Sequence, residues 1–407
     1  MPKSATLPDG WKLVRLGDIA TPIREKAGDR ELETLSISAG VGFVNQASKF
    51  GRELSGKQYV NYSVLRRGDF SFNKGNSRRY PYGCTYMLRD RTIAAVPNAF
   101  YSFNIKDQCD DFFEQMFMHG YLNRQLKKLI NTGVRDDGLF NLYESDFYGC
   151  TIPLPPLAEQ RRIAEILTTQ DRLIDLKTRL IAAKKQQKKW LMQNLLTGKV
   201  RLPGFGGKWE KVKIGAVATV IGGTTPDTEN AEYWDNGENI WLTPADLSEL
   251  PSKYASDSQR KVTDKGVQKA TGALLPAGSV IISCRAPVGY CAIVTMPFTF
   301  NQGCKAVLCK EDNALYIYFC LSNSKADLER VSSGTTFIEL SKRELENFAL
   351  MLPLLEEQTA IASRLSTVDK EIQLLEQELE AQKKVKKWLM QQLLTGKIRV
   401  KGAENNV

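Results

Sequence analysis

The sequence has one histidine in 407 residues, and its eight cysteines form no Cys-x-x-Cys pair. A tetrahedral zinc site needs Cys or His ligands at short spacing, so a zinc ribbon or finger is excluded. The same scatter of Cys84, Cys109, Cys150, Cys284, Cys291, Cys304, Cys309 and Cys320 argues against a disulfide scaffold. It suits reduced thiols buried in the core of a cytoplasmic protein. A Ser-His-Asp triad would have to use His119, which sits in an apolar helical pattern in a sequence with no Gly-x-Ser-x-Gly. His119 therefore reads as structural. There is no Gly-x-x-x-x-Gly-Lys-[Ser/Thr] and no Gly-x-Gly-x-x-Gly after a strand, which excludes the P-loop and the standard dinucleotide fingerprint. The Asn-Pro-Pro-aromatic tetrapeptide of adenine methyltransferases is also missing. No apolar run reaches the roughly 18–20 residues that span a bilayer, and the first residues lack the apolar core of a signal peptide. No catalytic residue, metal or cofactor is assigned to this chain.

What the sequence does contain is a repeat. Pro155–Arg201 and Pro353–Arg399 align without a gap at an offset of 198, and more than half the residues are identical. The same offset relates Trp11–Ala20 to Trp209–Ala218. The chain is thus a tandem duplication of a frame holding two different inserts. Each repeated segment opens on prolines (Pro153, Pro155 and Pro156, then Pro353) and is free of Pro and Gly until Gly198 and Gly396. Proline before the first turn and glycine past the last one mark the ends of a helix of roughly 40 residues. The second helix carries a heptad seam containing Ile361, Leu365, Val368, Ile372, Leu375, Leu379 and Leu389. The first carries Ile163, Leu167, Ile174, Ile181 and Leu191, interrupted by Lys177, Lys184 and Lys188. Such seams want a partner helix, and the two are predicted to pair with each other.

The predicted boundaries are residues 1–152 for a first insert domain, 153–201 for a long helix, 202–351 for a second domain and 352–407 for the second helix and tail. Each insert mixes strand-like runs (Ala94–Pro97, Phe100–Phe103, Val280–Ser283, Ala292–Thr295) with helical patterns (Phe112–Ile130, Leu315–Leu328). The fold class is α+β: two mixed α/β domains related by pseudo-two-fold symmetry and separated by two long antiparallel coiled-coil helices.

The net charge of +10 lies wholly in residues 1–200, with 31 basic and 21 acidic side chains against 25 and 25 beyond. Within that half, residues 51–100 carry 9 basic and 3 acidic groups. Excess positive charge is the footprint of a polyanion partner. The run Arg66–Gly83 interleaves cations, amides and aromatics; Lys and Arg neutralise phosphates, and Asn and Arg pair with base edges. Candidate DNA contacts there are Arg66, Asn73, Lys74, Ser77, Arg78, Arg79 and Tyr80. In the second insert they are Thr224, Thr225, Tyr233, Arg285, Thr335 and Thr336, in or near loops rich in small polar residues.

Four stretches together resemble one family over essentially the full chain. They are Pro153–Gln160 with its copy Leu352–Gln358, the Trp-Leu-Met-Gln-x-Leu-Leu-Thr-Gly-Lys ending, the opening Trp-x-x-Val-x-[Leu/Ile]-Gly, and Gly-Gly-Thr-x-Pro…Tyr-Trp…Trp-Leu-Thr-x-x-Asp in the second insert. The chain resembles the specificity subunit of type I restriction–modification systems. The resemblance implies that each insert is a target recognition domain reading one half of a split, asymmetric site on double-stranded DNA. It implies that the paired helices set the spacing and dock two methyltransferase subunits, and that restriction subunits join them. S-adenosylmethionine, ATP and magnesium are then expected in those partners and none here, and no membrane partner is expected. The seam lysines are the one departure from the pattern. A single-chain methyltransferase or nuclease would need the motifs that are missing, and a pure coiled-coil scaffold would not need the basic stretch.

Overall fold

The structure is a computed structural model that describes residues 7–52, 56–75, 80–130, 141–285, 287–332 and 339–400. The two long helices run over Leu157–Leu195 and Leu355–Leu393, 39 residues each. Their ends fall where the prolines and glycines place them. Gly198 and Gly396 both have φ +70°, the left-handed conformation that ends helices. At Gly396 packing adds a second reason, because a Cβ there would lie 2.5 Å from Pro8.

The chain forms two compact units: Met1–Thr178 with Gln377–Val407, and Arg179–Glu376. Each unit holds one insert domain together with part of both long helices. In the first, an antiparallel sheet runs in the order Ala20–Pro22, Tyr101–Ile105, Phe70–Asn73, Cys84–Met87. In the second, the corresponding strands Ala218–Gly222, Cys304–Cys309, Val280–Ser283 and Cys291–Val294 keep that order, and Tyr254–Ala255 adds a parallel edge. The duplication therefore extends into the inserts, where little sequence likeness is left. Both domains close the same way: Lys12–Arg15 pairs with Thr151–Leu154, and Glu210–Lys213 pairs with Ala349–Leu352.

The first core is aromatic. Phe70 stacks on Phe103, Phe117 meets both rings edge-on, and Phe147 stacks on Phe72. Ring pairs in these geometries add about 0.5–1.5 kcal/mol beyond their burial. Into this core run Ile163, Ala164 and Leu167 from the first helix and Met390, Leu393 and Leu394 from the second. The second unit repeats the wedge with Ile361, Ala362, Leu365, Leu195 and Leu196. Sequence periodicity alone assigns Ile163, Leu167, Ile361 and Leu365 to helix–helix pairing. They are fully buried, but they seal the helices onto the domains as well. Leu191 and Leu389 pack partly buried against the same cores. Between the wedges the seam holds: Ile181, Val368, Ile372 and Leu379 are buried, while Ile174 and Leu375 are half-buried.

The pairing is antiparallel, and the seam lysines explain themselves. Lys177 meets Glu378, Lys184 meets Glu371 and Lys188 meets Asp369, each at 2.6 Å. The polar interruptions of one helix face carboxylates of the other, which fixes register and direction as an apolar seam alone does not. Lys184→Glu should therefore lower the melting temperature, and adding Glu371→Lys should restore most of the loss. A double-mutant cycle showing no coupling between the two positions would remove this role.

The repeated motif residues form one clamp, built twice. Glu159 is buried and accepts hydrogen bonds from the Trp11 indole (2.9 Å) and from Arg399 (2.8 and 2.9 Å). Glu357 does the same with Trp209 (3.2 Å) and Arg201 (2.6 Å twice). Next to each, Gln160 and Gln358 accept from the backbone N–H of Cys109 and Asn313 at 3.1 Å. The domain-opening tryptophan, the Glu-Gln of one helix entry and the arginine after the other helix's end are thus a single hydrogen-bonded network around a buried carboxylate. A buried carboxylate is tolerated only when paired and hydrogen-bonded in this way. A second hub follows the same offset. Asp369 takes Lys188 and the buried Lys253 of its domain, and Asp171 takes Lys386 and Gln115.

Candidate nucleic-acid interface

The Phe70–Asn73 and Cys84–Met87 strands are joined through residues 74–83, of which 76–79 lie outside the described residues, with Asn73 opposite Cys84. Asn73 accepts from the Gly75 N–H at 2.8 Å and so shapes the start of the loop. Lys74 lies 4.5 Å above the Tyr101 ring, its Nζ 3.4 Å from the Tyr101 hydroxyl. Tyr80 is half-buried against the cluster of Leu35, Ile37 and Leu65 and anchors the far end. Gly83 has φ +81°, and a Cβ there would lie 2.6 Å from the Phe72 ring, so only glycine returns the chain to the sheet. Ser77, Arg78 and Arg79 lie outside the described residues, as do Thr335 and Thr336.

Arg66 is placed apart from this loop. Its guanidinium makes a bidentate pair with Glu25 (2.6 and 3.3 Å), which Arg30 also holds. These hydrogen bonds push the Glu25 carboxyl down to about 2, so the pair stays ionised at neutral pH. A phosphate reaches Arg66 only in competition with that carboxylate. Arg24, Arg89 and Arg91 are likewise tied to acidic neighbours. Among the described residues Arg52, Lys57, Arg67, Arg124, Lys127 and Lys128 are exposed and have no ion-pair partner. Composition does not separate these from the paired arginines, because pairing depends on residues distant in the chain.

In the second domain, the glycine-rich run is architectural first. A Cβ on Gly223 would lie 2.3 Å from the Phe300 carbonyl, and one on Gly237 2.5 Å from Val262. Thr224 donates to the Ala270 carbonyl at 3.1 Å, and Thr225 donates to Gln302. The Tyr233 carbonyl accepts from the Thr263 N–H at 3.0 Å. Trp241 is buried edge-on to Trp234, centroids 4.9 Å apart, and the exposed Arg260 guanidinium stacks 3.8 Å above Trp234. Arg285 pairs with Glu339 at 3.0 Å. Here the paired strands end at Ser283 and Cys291, and the Ser283 N–H donates to the Tyr290 carbonyl at 2.8 Å. The two hairpins occupy one place in a shared frame and differ in length, charge and aromatic content.

Burial pushes the cysteine thiols up, Cys84 and Cys150 to about 11 and Cys284 and Cys320 to about 12, so they stay protonated and unreactive. Among the described residues no group of three His, Cys, Asp or Glu side chains is placed to hold a metal ion, and no helix is long and apolar enough to cross a membrane.

A duplicated frame that carries two unlike hairpin connections, 74–83 with three cations in its sequence and the mostly apolar 284–290 with one, defines a protein of two equivalent domains with divergent loops. The type I restriction modification DNA specificity domain model matches the chain twice, over residues 8–185 and 206–383. The putative type I restriction enzyme MjaX specificity subunit of Methanocaldococcus jannaschii is 30% identical, across 97% of this chain and 95% of that protein. The MjaIX specificity subunit of the same organism is 36% identical over 40% of this chain and 38% of its own length. The HsdS subunit from Thermoanaerobacter tengcongensis has the same fold (TM-score 0.55, 21% identity, 97% of this chain and 99% of that one). The chain belongs to the type I restriction–modification DNA specificity family.

Proposed function

We propose that the chain supplies target recognition to a type I complex while its partners supply the chemistry. Each domain reads one half of a split, asymmetric DNA site, the helices set the spacing, and two copies of a methyltransferase subunit dock on them, with restriction subunits joining. S-adenosylmethionine, ATP and magnesium act in those partners. The observation that carries this reading is the contrast between frame and loops. The Glu159 and Glu357 clamps are duplicated atom for atom, whereas the hairpins 74–83 and 284–290 share neither length nor charge. A frame kept constant under two different readers fits one partner bound twice and two different half-sites. Exposed apolar side chains recur at the same offset: Leu176 and Leu374 (63% and 59% exposed), and Trp190 and Trp388 (52% and 50%). Such repeated tryptophans on otherwise polar helices suit anchors for two identical partners.

The test is to map methylated adenines in DNA exposed to the complex. A bipartite, non-palindromic motif is expected, and a palindrome or scattered methylation would refute the split reading. At the residue level, Lys74→Ala should weaken binding to every sequence alike and reduce the salt slope by about one, as a lost phosphate contact does. A salt titration with unchanged slope would leave Lys74 as packing on Tyr101 alone.

A further inference from the structure

The helical pattern Phe112–Ile130 does not form one helix. It ends at Met118, turns through Gly120 (φ +70°) and restarts as Asn123–Leu129. The turn stands beside a cavity of about 370 Å³ walled by Tyr80, Tyr86 and Phe117, with His119, Asn123 and Thr85 among its lining. Tyr80 and Gly83 belong to the basic hairpin loop, so cavity and hairpin share a rim. The side chains of His119, Asn123 and Thr85 have no hydrogen-bond partner among the described residues. Burial, with Lys387 nearby, holds His119 below its usual value, so its ring is neutral at pH 7 and offers one donor and one acceptor. Asn123 offers the same combination on one amide. Beyond the turn, Leu122 and Leu126 face inward while Arg124, Lys127 and Lys128 are exposed and without ion-pair partners among the described residues. The matching helix of the second domain, Lys325–Val331, is not basic: it carries Asp327 and Glu329, and Arg330 is paired with Asp327 at 2.8 Å. The charge therefore does not belong to the shared frame.

We propose that Gly120–Leu129 is a second DNA-reading element of the first domain, in which Arg124, Lys127 and Lys128 bind phosphates and the cavity takes the edge of one nucleobase against Asn123 and His119. The proposal rests on the specificity-subunit reading. The chemistry favours a base over other ligands. Among the described residues the cavity lining contains no Lys or Arg to supply a counter-charge for a phosphate. Aromatic walls suit a flat π-face, and an amide beside a neutral imidazole matches the paired donors and acceptors of a base edge.

The experiment uses the chain assembled with its methyltransferase partner on a library of randomised targets. The triple variant Arg124→Ala, Lys127→Ala, Lys128→Ala should weaken binding to all sequences alike and reduce the salt slope by about three. Asn123→Ala should relax discrimination at one base-pair position by about 5- to 100-fold and leave the other positions unchanged. Asn123→Asp keeps the size, removes the amide donor and should change the preferred base at that same position. Wild-type preferences at every position in both Asn123 variants, or a loss spread equally over all positions, would overturn the base-reading role. Absence of any sequence preference in the wild-type complex would instead overturn the underlying reading.

Discussion

Leu365→Ala should cost about 3 kcal/mol of stability, the usual loss for a fully buried leucine whose neighbours cannot close the gap. Leu365 has no exposed surface and sits where the second long helix enters the core of its domain, with Ile361, Leu195 and Leu196 in the same cluster. Leu167 is its copy at the offset of 198 and is equally buried in the first core. The two substitutions should therefore cost similar amounts. In a unit of this size, 3 kcal/mol corresponds to a melting shift on the order of 10 °C. Hydrogen exchange should locate the Leu365→Ala loss within Arg179–Glu376 and the Leu167→Ala loss in the other unit. Leu375→Ala should cost clearly less, because that side chain is only half-buried. Periodicity gives Leu365 and Leu375 the same rank, and only burial separates them. Equal losses at both positions, or less than about 1 kcal/mol at Leu365, would show that the wedge is not what holds helix to domain.

The sequence makes some of this architecture legible and hides the rest for physical reasons. Helix ends are readable because proline and glycine act locally, and the Val280–Ser283 strand because three apolar, β-branched residues in a row have few alternatives. The seam lysines were misfits until Glu371, Glu378 and Asp369 were placed opposite them, since an ion pair between helices leaves no mark at short range. The Trp11–Glu159–Arg399 clamp was visible as three separate motifs and invisible as a network, its members being separated by most of the chain. Gly120 sits inside an apolar pattern that runs on past it, and this hides the break that exposes Arg124, Lys127 and Lys128. Of the candidate contacts, Lys74 and Tyr80 lie on one hairpin. Arg66 and Arg285 are held by Glu25 and Glu339, which composition counts as cancelling charge without saying where.

Grafting a relative's second domain between Glu210 and Leu352 should change one half of the recognised site and leave the other half and the spacing as they were. The cut points follow from the pairing Glu210 to Leu352 through Lys213 to Ala349, which closes the domain on itself. A graft ending at residue 350 would split that ladder and leave two strand residues to the host. Trp209 and Glu357 must stay outside the graft, because their hydrogen bond, with Arg201, belongs to the frame. The first domain keeps its own core, its own clamp at Glu159 and its own hairpin, none of which the graft touches. Each altered base pair in the new half should change preference by about 1–3 kcal/mol, so several together switch the half-site outright. Methylation mapping of the grafted complex reads all three outcomes at once. New bases in both halves would show that the domains do not read independently. An altered spacing would show that the insert, and not the helix pair locked by Lys184–Glu371 and Lys188–Asp369, sets the distance.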